Sequence, residues 1–380
     1  MELVLTEDQE LLAKTAADFV TEHSPVARMR KLRDTKDAVG FSRPLWKQMA
    51  ELGWVGIPFP EEHGGAGLGF AELVVVLEAL GRTLAPEPFL STVLLGGQAL
   101  LLGGSAEQKK AWLPKLVAGD AIVTLAHQEA KSRYDLRQIE ARAEKAGAGW
   151  RIAGEKIQVL DGHVADAIVV AARTSGSAGD ARGITLFLVK AGAPGLGVTR
   201  QWRVDSRNAA LVTLSGVEVV AADVVGEVDA GGELLERVVD RATIGLCAEM
   251  LGGMLQAAED TFRYLKERVQ FGVPIGSFQA LKHRAARMYI ELELARSAVM
   301  AVARAADEGS DELPKLVSLA KARCSDAYVL ITNEAVQMFG GVGMTDEYDV
   351  GFYMKRARAA EMTFGDAAFH RDRWARLSGY

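Results

Sequence analysis

From about Gly232 to Phe271 the sequence runs for almost forty residues in a helical pattern interrupted only by a few glycines. At about 1.5 Å of rise per residue such a helix approaches 60 Å. A helix that long gains its stability from an amphipathic face packed on something else, so it needs equally long neighbours or a second subunit. The run predicts a bundle of long helices in the C-terminal part of the chain.

The rest of the chain divides by hydrophobic period. From Leu5 to about Gly119 apolar residues such as Leu5, Leu12, Ala16, Phe19 and Val20 recur at helical spacings. Thr6 with Gln9, and Ser105 with Gln108, have the spacing of capping boxes, which satisfy backbone donors at helix starts. The stretch GIPFPEEHGGAGLG (56–69) reads as a loop rich in turn formers. Between about Asp120 and Val228 the texture changes to short runs, AIVTLA, AIVVAART, GITLFLVK and ALVTLSGVEV, separated by Gly, Asp and Ser, which predicts an antiparallel β sandwich or barrel. SGSAGDARG (175–183) reads as a hairpin tip. The order is helical, β, helical, in two or three domains, and 380 residues of which 49% are hydrophobic suffice for a large core.

Several function classes are excluded. A formal net charge of -6 with 25% charged residues leaves no basic field for nucleic acid. No apolar run approaches the roughly 20 residues a membrane span needs, and MELVLTEDQELL lacks a basic leader region and a cleavage site. Cys247 and Cys324 sit far apart in apolar helical patterns, as reduced core thiols do. A cytoplasmic location is expected. His127, His163 and His370 show no metal-ligand spacing, so no metal is expected.

Two C-terminal stretches carry the candidate chemistry: ERVQFGVPIGSFQALKHRAA (267–286) and NEAVQMFGGVGMTDEYDVGFYMKRAR (333–358). Arg268 stands at a helix end beside a Gly-Pro turn, where a guanidinium pairs with a pyrophosphate or simply faces solvent. Gly340, Gly341 and Gly343 permit close backbone approach by a ligand, or a plain helix-ending turn; the spacing is not that of a dinucleotide fingerprint. In order, spacing and context these stretches resemble signature segments of the flavin-dependent acyl-CoA dehydrogenases. The resemblance extends over essentially the whole chain. It implies an N-terminal α-helical domain (1–119), a middle antiparallel β domain (120–228) and a C-terminal four-helix bundle (229–380) serving FAD binding and oligomerisation. In that family a carboxylate takes the α-proton of an acyl-CoA thioester while flavin accepts hydride from the β-carbon. Electron-transfer flavoprotein is the acceptor the family implies.

The resemblance also marks departures. The family's base falls on Phe364 by count from Arg371, or on Ala242, twenty-six residues before Arg268; neither is an acid. Glu249 and Asp366 are the candidate substitutes. Flavin-facing elements of the middle domain correspond to Gln128-Glu129-Ala130, Arg133-Tyr134-Asp135 and Gln158-Val159-Leu160, which lack the expected hydroxyls and the ring-covering tryptophan. Retained are the segments that, in the family, reach across a dimer interface to the nucleotide end of a neighbour's FAD: Arg268, Phe271, Phe278, Gln279, Gln337, Gly340 and Gly341. That combination resembles the smaller subunit of actinobacterial α2β2 acyl-CoA dehydrogenases acting on steroid side-chain and other bulky thioesters. It implies a paralogous partner that carries the base. A homomeric enzyme using Glu249 or Asp366 and a flavin-free scaffold are the rivals.

Overall fold

The computed structural model describes residues 4–380; Met1–Leu3, part of the segment read for targeting signals, lie outside the described residues. Helices α1 (Glu7–His23), α2 (Val26–Asp34), α3 (Arg43–Glu51), α4 (Phe70–Arg82), α5 (Gly97–Gly103) and α6 (Ala106–Val117) precede the strands, with a π-helical segment at Phe89–Gly96 leading into α5. Strands β1 (Val123–Ala126), β2 (Arg142–Ala146), β3 (Gly149–Leu160), β4 (Ala167–Arg173), β5 (Ile184–Lys190), β6 (Leu196–Trp202), β7 (Asn208–Val219) and β8 (Val224–Val225) follow. Then come α7 (Gly231–Glu267), the short β9 (Val269–Gln270) and β10 (Val273–Pro274), and helices α8 (Gln279–Asp307), α9 (Leu313–Phe339), α10 (Val350–Met362) and α11 (Ala367–Leu377). Both capping boxes form: Gln9 N donates to Thr6 Oγ1 over 3.3 Å while Thr6 N donates to Gln9 Oε1 over 3.1 Å, and Ser105 and Gln108 repeat the exchange. No helix among the described residues is long and apolar enough to cross a membrane.

By compactness the chain forms two units, and each gathers segments distant in sequence. One comprises Leu32–Leu68 and Pro86–Ala242 and contains the sheet, ordered β6-β7-β3-β2-β4-β5-β8 with β1 beside β4. Its pairing is antiparallel except that β1 and β2 run parallel to β4. The long excursion through β2 and β3 allows β4 to return in the direction of β1, which a tight hairpin cannot do. The Gly- and Ser-rich tip predicted at 175–183 joins β4 to β5. Helical segments are pinned to the sheet by side chains: Gln108 Nε2 donates to the carbonyls of Ala222 and Val224 at 2.8 and 3.0 Å, and Asn208 Nδ2 to that of Val39 at 2.9 Å.

The other unit comprises the segment ending at Lys31, Gly69–Ala85 and Thr243–Tyr380. Here α4 lies backbone to backbone against α7. A Cβ on Gly252 would stand 1.9 Å from the Glu78 carbonyl oxygen, and one on Gly81 would stand 2.1 Å from that of Glu249. The orphan donors at the start of α4 are satisfied by Asp307 at the end of α8, whose carboxylate accepts from Phe70 N at 2.6 Å and Ala71 N at 2.9 Å. Helix α7 stops at Glu267, four residues short of the predicted Phe271. Phe271 (φ 57°) and Gly272 (φ 80°) form the two-residue turn of the β9–β10 hairpin, and consecutive positive φ cannot continue a right-handed helix.

The α4–α7 contact yields a direct expectation. Gly252→Ala forces the two helices apart and lowers stability by about 1–3 kcal/mol. Thermal unfolding followed by circular dichroism reads this as a lowered midpoint; an unchanged midpoint contradicts the close approach.

Candidate cofactor-contact site

Arg268 follows the last turn of α7. Its backbone N–H donates to the Tyr264 carbonyl at 2.8 Å, and its own carbonyl accepts from Ile275 N at 2.8 Å, closing the hairpin base. Its side chain is exposed and has no ion-pair partner among the described residues. The hairpin projects apolar groups into solvent: Phe271 at the tip is 92% exposed, and Val269, Val273 and Phe278 are also exposed. Phe271 and Phe278 meet edge to face with centroids 6.1 Å apart, and Gln279 opens α8 directly after Phe278.

Gln337, Gly340 and Gly341 lie at the far end of α9. Tyr264 of α7 stacks on Phe339 of α9 with centroids 4.1 Å apart, so the helix end bearing Arg268 and the one bearing Gly340 share one end of the bundle. Gly340 adopts φ 71° and ψ −149°, a region open in practice to glycine alone. Gly341 is different. A Cβ there would meet nothing within 4 Å, and its φ is not positive, so nothing in this chain requires glycine at 341.

Phe364 stands half-buried in the turn between α10 and α11 with φ 61°, followed by Gly365 at φ 117°. The turn is held through its carbonyls. Buried Lys321 donates from Nζ to the carbonyls of Glu361 (3.0 Å) and Gly365 (2.7 Å) and to Ser325 Oγ (3.0 Å). Burial lowers its pKa to about 8. His370 Nε2 lies 3.1 Å from the Phe364 carbonyl and Nδ1 3.4 Å from Ser318 Oγ. Burial first, and the Lys321 cation second, push the imidazole pKa down to about 3; the ring is neutral and Nε2–H is the donor toward Phe364. Asp366 caps α11, its Oδ1 accepting from Phe369 N at 2.8 Å. Ala242 is fully buried in α7, and Glu249 is half-buried further along the same helix.

In the sheet-bearing unit, Glu129 forms a buried ion pair with Lys156 at 2.5 Å and also accepts from Ala141 N at 3.0 Å and Glu140 N at 2.6 Å. Burial lowers Lys156 to about 8, and burial with the Lys156 charge lowers His127 to about 4. Gln158 is exposed at a bulge in β3 with φ 55°, its N–H donating to Gln201 Oε1 of β6 at 3.1 Å. Arg133 (φ 45°) lies over the Tyr134 ring at 5.3 Å in the loop before Asp135.

Family models for the acyl-CoA dehydrogenase N-terminal, middle and C-terminal domains match residues 6–120, 124–216 and 229–378. The chain belongs to the acyl-CoA dehydrogenase family. It is 31% identical over 375 residues to mitochondrial isovaleryl-CoA dehydrogenase of Pongo abelii, covering 97% of this chain and 88% of that protein. Among solved structures it resembles the ChsE4-ChsE5 complex from Mycobacterium tuberculosis (TM-score 0.90, 31% identity, 100% of both chains). It also resembles butyryl-CoA dehydrogenase from Megasphaera elsdenii (TM-score 0.92, 26% identity, 100% of both chains). Membership identifies FAD as the cofactor and oxidation of acyl-CoA as the reaction class.

Sequence reasoning passed over Lys321, the residue that does most to hold the turn at Phe364. A signal existed: in VSLAKARCSDAYVL the lysine lies four residues after Val317 and seven before Tyr328, on the face that is otherwise buried.

Two outcomes follow. Gly340→Ala is expected to cost about 1–3 kcal/mol through backbone strain, whereas Gly341→Ala leaves the urea midpoint of the isolated chain unchanged. His370, held neutral below its unfolded pKa of 6.5, contributes stability that is complete above that pH and is lost as pH falls toward 3, because the unfolded chain takes up the proton first. Within that window wild type therefore loses about 1.4 kcal/mol per pH unit relative to His370→Gln, measurable as diverging urea midpoints.

Proposed function

We propose that this chain is one subunit of a heteromeric FAD-dependent acyl-CoA dehydrogenase. It lends nucleotide contacts to a flavin seated mainly in a paralogous chain, which carries the catalytic base. The observation that carries this reading is the exposed hairpin. Phe271 projects almost wholly into solvent beside an unpaired guanidinium, an arrangement that costs solubility unless another chain covers it. The residues there suit the nucleotide end of FAD: Arg268 offers a planar fork for pyrophosphate oxygens, Gly341 leaves its backbone open to approach, and Gln337 and Gln279 add amide donors at exposed positions. Bound FAD supplies the hydride acceptor of the reaction.

Proton abstraction lacks the matching support. Phe364 and Ala242 hold the two positions where the family resemblance expects a carboxylate, and Asp366 is engaged as a helix cap. Glu249, half-buried on α7, is the one carboxylate on which a homomeric enzyme would rest, and loss of autonomous activity in Glu249→Gln is its test. The expected substrate is an acyl-CoA thioester with a bulky acyl group such as a steroid side chain. Electron-transfer flavoprotein is the expected acceptor, and the likeness to the two-chain ChsE4-ChsE5 complex favours an unlike partner.

Co-expression with a paralogue that bears the base, followed by flavin quantitation, tests the proposal. The expected result is one FAD per two chains, thioester oxidation only by the complex, and loss of flavin on Arg268→Ala in this chain. A yellow homomer with one flavin per protomer that oxidises thioesters unaided refutes it.

A further inference from the structure

Within the unit that contains Thr243–Tyr380, a cleft of about 510 Å³ opens between the α1–α2 junction, the end of α4, the C-terminal half of α7 and the segment running into α10. Its floor is an aromatic corner. The stacked pair Tyr264–Phe339 (4.1 Å, 15°) forms one wall, and Tyr348 stands across it, 5.0 Å from Phe339 at 63° and 5.8 Å from Tyr264 at 76°. Ring faces carry the negative side of the aromatic quadrupole and ring edges the positive side, so it is the faces turned toward the cleft that attract a cation.

The rim is acidic. Asp260, Glu267, Glu347 and Asp349 line the cleft against the guanidinium groups of Arg82 and Arg263. Arg263 pairs with Asp260, Arg82 with Glu259, and Arg30 with Asp349, while Glu267 and Glu347 have no ion-pair partner among the described residues. Asp260 is pushed above the usual carboxylate range by burial, with Asp349 and Glu259 adding repulsion. The site is short of positive charge.

We propose that this cleft binds a small organic ammonium ion, its alkylated nitrogen against the Tyr264–Phe339–Tyr348 corner and its charge balanced by Glu267 and Glu347. Ring faces favour a weakly hydrated, diffuse cation over a metal ion, which needs convergent oxygen ligands. No group of three or more His, Cys, Asp or Glu side chains able to hold a metal assembles among the described residues. The chain already uses this chemistry beside the cleft, where the Arg30 guanidinium lies 4.4 Å over the Phe352 ring while paired with Asp349. A cleft of this size accommodates a small molecule.

Isothermal titration of the full chain with choline, against the neutral isostere 3,3-dimethylbutan-1-ol, tests the inference. Choline is expected to bind saturably at one site and the alcohol at least about tenfold more weakly. Tyr348→Ala should cost roughly threefold to thirtyfold in affinity, and Tyr348→Phe should retain binding. Glu347→Gln, at an exposed position, should weaken choline without moving the thermal midpoint, which covers the case that Tyr348→Ala perturbs folding. Equal binding of the isostere, indifference to both the Tyr348→Ala and Glu347→Gln substitutions, or absence of saturable binding overturns the proposal.

Discussion

Contact between the backbones of α4 and α7 sets the register of everything that follows in their unit. Because the Glu78 and Glu249 carbonyls fill the space a side chain would need at Gly252 and Gly81, α7 cannot slide or roll without a steric clash. Fixing α7 there determines where its last turns fall. Tyr264 arrives on Phe339, and the hairpin carrying Arg268 leaves the bundle at the same end as the Gly340 turn. The candidate cofactor contacts are thus products of helix packing far from themselves, which suits a site whose elements must be rigid to be useful.

Much of this was legible beforehand because it rests on local periodicity. The capping pairs at Thr6 and Ser105, the apolar runs of β1, β4, β5 and β7, and the long helical pattern of α7 are each readable within a short window. The failures come where a non-local or backbone property decides. Phe271 fits a helical pattern by composition, and only its left-handed backbone in a hairpin turn ends α7 earlier. Lys321 reads as a surface lysine unless one knows that three acceptors, two of them carbonyls beyond α9, converge on it. The grouping of Leu32–Leu68 with the sheet is equally silent in sequence, since it depends on Asn208 and Arg200 reaching residues more than a hundred and fifty positions away.

The Phe364 turn shows how the residue at 364 can change identity without loss of the fold. The turn's shape is enforced from behind by Lys321 and His370, which bond carbonyls rather than the side chain at 364. A non-glycine residue at φ 61° is strained, and these bonds offset the strain whatever side chain projects forward. Geometry and chemistry are separable here. A different side chain at 364 changes the local chemistry while leaving the turn, and the helix after it, where they were.

The hairpin poses the opposite case. Its apolar tip makes no evident contribution to the fold: Phe271 touches Phe278 edge to face and is otherwise in water, and Gly341 has no internal reason to be glycine. Exposed aromatic surface on a projecting hairpin favours nonspecific association, so a monomer would be better served by polar residues there. Under the proposed heteromeric reading a second chain covers Phe271 and an anion answers Arg268. The fold holds Phe271 and the Arg268 guanidinium outward while the Phe364 turn keeps its shape without help from the side chain at 364, so neither position is fixed by the packing of this chain alone.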